Sequence, residues 1–244
     1  MKVFLLITCR NPRIEDTSLL TLDTIRTGFP DCHIHADFQG KYASEVRLKN
    51  DSIDSSSLLL NQEIHGDWIR KLVYSEEKPF IIADPDLWFF SRFPFEKYEG
   101  VSLAGDVTPS FMCPVAKCRT EWRFHTSLLY IDPLLLRIDI RKWQSRIGDT
   151  PFTPPIDLFR AAVIPGAEGS RFYDTCSLLS QVADAEVFDA DTLDCYEHLH
   201  AGSWSDIVEK SMPGFQAMHA DLLKNPKSIK GLRKRNLEFY EGNK

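Results

Sequence analysis

Residues 78–90 read Lys78-Pro79-Phe80-Ile81-Ile82-Ala83-Asp84-Pro85-Asp86-Leu87-Trp88-Phe89-Phe90, and this stretch constrains the fold more than any other. Four consecutive apolar residues bounded by Lys-Pro on one side and Asp-Pro-Asp on the other are too short for a helix and read as a strand buried on both faces. Just before it, residues 61–77 carry Ile64, Trp68, Ile69, Leu72 and Val73 on one helical face, and Lys78-Pro79 stops that helix. A helix feeding a buried strand with acids at its carboxyl end is the pattern of an open α/β sheet, whose ligands bind beyond the strand ends.

The remaining punctuation supports the same class. Residues 2–7 form a first strand ending in Thr8-Cys9-Arg10-Asn11-Pro12, and Ser18 to Arg26 shows helical spacing. A second short strand over 32–37 ends on Asp37. The polar, serine-rich stretch from about Lys41 to Leu60 reads as a surface loop. Further strands are expected over 101–106, 127–133 and 186–188, and helices over 134–147 and 173–182, with Thr150-Pro151-Phe152-Thr153-Pro154-Pro155 as a rigid extended connection. The expectation is one α/β domain over 1–206, with a mixed central sheet flanked by helices, and a helical, basic tail over 207–244.

Charge and composition narrow the partners. At a net charge of −6 the chain lacks the broad basic surface that grips nucleic acid. Only the tail departs from this: six of the twelve residues from Lys224 to Arg235 are basic, either a docking surface for an acidic partner or a solvated helix. No segment approaches the roughly 20 apolar residues of a membrane span. The six scattered cysteines imply reduced thiols, and a cytoplasmic location is expected.

Asp84 and Asp86 flank Pro85, so on an extended backbone their carboxylates share a face. Paired carboxylates at a strand end are hard oxygen ligands for a divalent cation, Mn2+ or Mg2+, which would hold a diphosphate; the bland alternative is a solvated turn. Downstream, Glu197-His198-Leu199-His200-Ala201-Gly202-Ser203-Trp204 places two histidines on one face, so either can reach a metal while the other packs. Adding His200 to the acidic pair favours Mn2+ over Mg2+.

The order of these features resembles that of GT-A glycosyltransferases over residues 2 to about 206: a first strand into Thr8-Cys9-Arg10, an acidic end to the second at Asp37, the Asn61-Gln62-Glu63-Ile64-His65-Gly66 helix start, a hydrophobic strand into Asp-x-Asp, and a late His-x-Gly-Ser-Trp segment. The resemblance implies a nucleotide-sugar donor, UDP-linked by preference, and a metal held by Asp84, Asp86 and His200. It further implies that Thr8, Arg10 and Asp37 contact the nucleotide and that Asp174, in Phe172-Tyr173-Asp174-Thr175, faces the acceptor or acts as base. Asp174 also reads as a helix N-cap ahead of Cys176-Ser177-Leu178-Leu179. The acceptor is left open among a glycan, a small molecule and a modified nucleic acid.

Two rival readings stand beside this one. A haloacid-dehalogenase-like phosphatase also ends an apolar strand in Asp-x-Asp, but it places the motif on its first strand and carries Thr or Val where Trp88 stands here. A non-catalytic protein of GT-A-like shape, working through its basic tail, is the other.

Overall fold

The computed structural model describes residues 1–9, 20–47, 51–61, 63–108, 112–113, 118–120, 122–147, 157–164, 171–173 and 175–198. The elements run β1 (Lys2–Thr8), α1 (Leu20–Gly28), β2 (His33–Gln39), α2 (Ala43–Val46), β3 (Ser55–Leu58), α3 (His65–Ser75), β4 (Phe80–Ala83) and β5 (Leu87–Phe89). They continue through β6 (Leu103–Thr108), β7 (Met112–Cys113), β8 (Cys118–Thr120), β9 (Arg123–Ile131), α4 (Pro133–Ile147), β10 (Ala162–Ile164) and β11 (Arg171–Tyr173). The last are α5 (Ser177–Val182), β12 (Ala185–Val187), α6 (Ala190–Leu193) and β13 (Tyr196–His198).

The fold is α/β, with a mixed seven-stranded sheet in the order β12-β6-β9-β4-β1-β2-β3. Two compact units divide the described residues, the first made of 1–4, 61–83 and 94–189 and the second of 5–60, 84–93 and 190 onward.

In the first unit β4 pairs parallel with the start of β1, Lys2 opposite Phe80 and Phe4 opposite Ile82, and antiparallel with β9, Phe80 opposite Ile131. Phe80, Ile81, Ile82 and Ala83 are all buried, as an apolar run without alternation requires of a central strand. The Phe4 and Phe80 rings meet edge to face at 5.6 Å. Helix α3 buries Trp68, Ile69, Leu72 and Val73, the face its spacing marks, and runs over 65–75 rather than 61–77. Its Gly66 lies against the carbonyl of Phe159, where the neighbouring Asp67 pairs with Arg70 and Arg160. The strand expected over 127–133 begins earlier, at Arg123, and pairs antiparallel with β6.

Two expectations fail locally. The helix expected over 173–182 starts at Ser177: Tyr173 belongs to β11, and Cys176, at φ 60°, takes the left-handed conformation that precludes a helix running through it. In the second unit, the serine-rich stretch read as a loop contains α2 and β3. Strand β3 pairs parallel with β2, His35 opposite Ser55 and Phe38 opposite Leu58. Serine carries little strand propensity, so the pairing comes from neighbours. Asp54 donates its N–H to Ile34 O (3.0 Å) and accepts from Ile34 N–H at Oδ2 (2.7 Å), which fixes where β3 begins.

That contact carries a pH signature. The Ile34 N–H and then the Arg26 guanidinium, 2.7 Å away, hold the Asp54 carboxyl below its ordinary value of 3.8. Since the folded value lies below the unfolded one, the contribution is complete above pH 3.8 and is lost as pH falls through the folded value. Asp54→Asn is therefore expected to lose no more than about 1 kcal/mol at pH 7, solvent screening the half-exposed pair. The deficit should shrink below about pH 4. Urea unfolding at both pH values measures it, and a deficit that grows with acidity contradicts the assignment.

Candidate metal centre

Asp84, Asp86, His198, Thr8, Asp37 and Thr21 all belong to the second unit. The chain leaves β4 at Ala83 and enters the Asp84-Pro85-Asp86 turn, whose φ at Pro85 is fixed by the ring. Beyond it, β5 pairs antiparallel with β13, placing His198 opposite Leu87, Glu197 opposite Trp88 and Tyr196 opposite Phe89. This short ladder brings a histidine from the far end of the described sequence onto the turn.

His198 Nε2 lies 3.1 Å from Asp86 Oδ1, and both side chains are buried. One ligating atom each from Asp84, Asp86 and His198 falls within 4.8 Å of the others, and no other such trio of acidic, histidine or cysteine residues occurs among the described residues. Atoms about 2.0–2.2 Å from a shared cation sit roughly 3 Å apart when adjacent and roughly 4.3 Å apart when opposite. The trio therefore fits a divalent cation after a side-chain adjustment of under about 1 Å. Two carboxylates with one imidazole make a mixed oxygen and nitrogen donor set of the kind that holds divalent cations.

The sequence left two histidines open and assigned the third ligand to His200. The structure brings His198 to the aspartates; His200 lies outside the described residues. Arg10, Asp174 and the tail over 207–244 also lie outside them, as does the 150–155 connection.

Thr8 ends β1 half-buried, and its hydroxyl accepts from the Gln39 side-chain amide (3.0 Å). Gln39 O in turn accepts from Cys9 N–H at 2.7 Å, and Gly40 follows at φ 98° with Cys9 O only 2.8 Å from where a Cβ would stand. Glycine is required there on both counts. Asp37 is buried in β2, its carboxylate 2.9 Å from His35 Nε2, while His35 Nδ1 lies 2.7 Å from the Ser55 hydroxyl. The acid at the second strand is thus held by a histidine two residues back, on the same face of the strand.

Sequence reading missed Thr21, a buried residue of the first turn of α1 whose hydroxyl and N–H bind the backbone of the aspartate turn. The available signal was a hydroxyl residue at the N-terminal turn of a helix, where N–H groups lack intrahelical partners.

No protein-family model matches the chain, and no curated protein matches it. Among solved structures it is similar to the glycosyltransferase GlyE of Streptococcus pneumoniae TIGR4, at 14% identity and TM-score 0.41, over 77% of this chain and 45% of that one. It is also similar to the mannosyltransferase PcManGT of Pyrobaculum calidifontis, solved with GDP-Man and Mn2+, at 13% identity and TM-score 0.38, over 60% of this chain and 46% of that one. HddC from Yersinia pseudotuberculosis is a third, at 10% identity and TM-score 0.36, over 86% and 98%. The chain spans about half the length of the first two. Likenesses this loose carry no inference about the site, whose reading rests on the geometry above.

Proposed function

We propose that the chain is a metal-dependent glycosyltransferase that takes a hexosyl or pentosyl group from a nucleoside-diphosphate sugar, a UDP-sugar by preference, to an acceptor hydroxyl. The observation that carries this reading is the convergence of Asp84, Asp86 and His198 beyond a buried strand. Mn2+, or Mg2+ in its place, would be held by these three residues, with His200 a further candidate. When bound, such a cation supplies positive charge where negative charge builds on the leaving diphosphate.

The chain's own groups divide the remaining work. Asp84 and Asp86 would offer carboxylate oxygens to the ion from a single turn. Asp37, braced by His35, together with Thr8 and Arg10 would contact the nucleoside and its phosphates. Asp174 would take the acceptor proton if the reaction inverts configuration. Residues 1–206 would form the catalytic domain, with the basic tail of 207–244 outside it, acting in the cytoplasm on a glycan, a small molecule or a modified nucleic acid. Among the described residues no helix is long and apolar enough to cross a membrane.

A panel of UDP-, GDP-, CMP- and dTDP-sugars with Mn2+ or with chelator tests the reading. Mn2+-dependent release of the nucleotide from at least one donor, most readily a UDP-sugar, is expected. Phosphate release from generic phosphoesters with no response to nucleotide sugars would favour the phosphatase. Stabilisation by nucleotide with no turnover would favour the non-catalytic binder.

A further inference from the structure

Thr21 makes four contacts to the backbone of residues 84–87, two to the aspartate turn and two to Leu87 just beyond it, and is fully buried. Its N–H donates to Pro85 O at 3.0 Å, satisfying a first-turn helix donor that has no partner within α1. The hydroxyl accepts from Leu87 N–H at 2.7 Å and offers its single proton to Asp84 O (2.7 Å) and Leu87 O (3.0 Å). Asp84, Pro85 and Leu87 are thereby tied to one side chain, and Pro85 has its own φ fixed. Asp86 is bracketed on both sides by anchored residues. One turn further along α1, Thr24 accepts from Phe89 N–H at 2.9 Å, extending the attachment into β5, the strand that carries His198 on its partner.

We infer that Thr21 is a positioning residue for the cation: it holds the Asp84 and Asp86 backbones at the spacing the ion needs, without touching the ion. This rests on the metal reading proposed above. A cation gains affinity when its ligands are already placed, because the ordering cost is met on folding rather than on binding. With no hydroxyl at position 21, Leu87 N–H and Asp84 O lose a buried partner, the turn gains alternative conformations, and the two carboxylates converge less often.

The test is a Mn2+ titration followed by the electron paramagnetic resonance signal of free Mn2+, with no nucleotide present. Thr21→Val, nearly the same shape without the hydroxyl, is expected to raise Kd about 10- to 100-fold, the range found when groups supporting metal ligands are removed. Thr21→Ser, which keeps the hydroxyl, should recover most of that affinity. A residue that merely supported α1 would lower the melting temperature and leave the Mn2+ affinity of the folded protein unchanged. Equal Kd values for wild type and a folded Thr21→Val overturn the inference alone, whereas no Mn2+ binding by the wild type overturns the metal reading with it. If Thr21→Val does not fold, amide exchange in the metal-free wild type decides. Leu87 N–H should be strongly protected, and rapid exchange there in the folded protein overturns the inference.

Discussion

Asp86→Asn is expected to lower kcat/KM for Mn2+-stimulated sugar transfer by about a thousandfold while the protein stays folded. The asparagine keeps the size of the side chain and a hydrogen-bonding partner for His198, so what it removes is the charge. Several kcal/mol of charge stabilisation at the leaving diphosphate, at about 1.4 kcal/mol per tenfold, sets the scale of that loss. The alanine variant is less informative, because Asp86 is buried against His198 rather than solvated in an open turn. Truncation there also strips a buried imidazole of a partner, with a stability cost of about 1–3 kcal/mol. Turnover at the wild-type level in a folded Asp86→Asn protein would remove Asp86 from the site.

Gly66→Ala should lower stability sharply although it adds only a methyl group. A Cβ at this position would lie 2.1 Å from Phe159 O and 2.8 Å from its carbonyl carbon, both backbone atoms. Neither can rotate away as a side chain would. Phe159 O also accepts from Cys176 N–H at 3.2 Å, and on the adjoining residues Asp67 Oδ2 meets Arg160 at 2.6 Å, so the segment is held from two sides. Relief requires moving α3 or the 157–160 segment, and overpacking costs about 1–3 kcal/mol, with two backbone atoms in the clash placing this case near the top at about 3 kcal/mol. For a chain of this length that lowers the melting temperature by roughly 6–12 °C. Calorimetry measures it, and a shift under about 2 °C would show that the approach of Gly66 to Phe159 is not a constraint.

The parts of the fold that the sequence revealed are those whose physics is local. Phe80 to Ala83 could only be a buried strand, because an apolar run that short satisfies its backbone in a sheet and its side chains in a core. Helix α3 announced itself through the spacing of Trp68, Ile69, Leu72 and Val73. Strand β3 did not, because Ser55, Ser56 and Ser57 state no preference and their pairing depends on β2 and on the Asp54–Ile34 contact. The same division runs through the site. Asp84 and Asp86 were legible because their spacing alone puts both carboxylates on one face. The choice between His198 and His200 was not, since a spacing of two would put both on one face of any extended segment, and only the register of β13 against β5 sets His198 opposite Leu87. Thr21 was invisible for a related reason: its partners are backbone atoms 63 and more residues away in sequence.

The proposed activity requires that Asp84, Asp86 and His198 hold a cation that carries a nucleoside diphosphate. The most direct measurement is a crystal of the full chain grown with Mn2+ and UDP, with anomalous scattering recorded at the manganese edge. A single strong peak bounded by the three side chains, with diphosphate oxygens on its open side, is the predicted result. A nucleotide bound elsewhere, or no manganese between Asp84, Asp86 and His198 in a crystal that holds UDP, contradicts it.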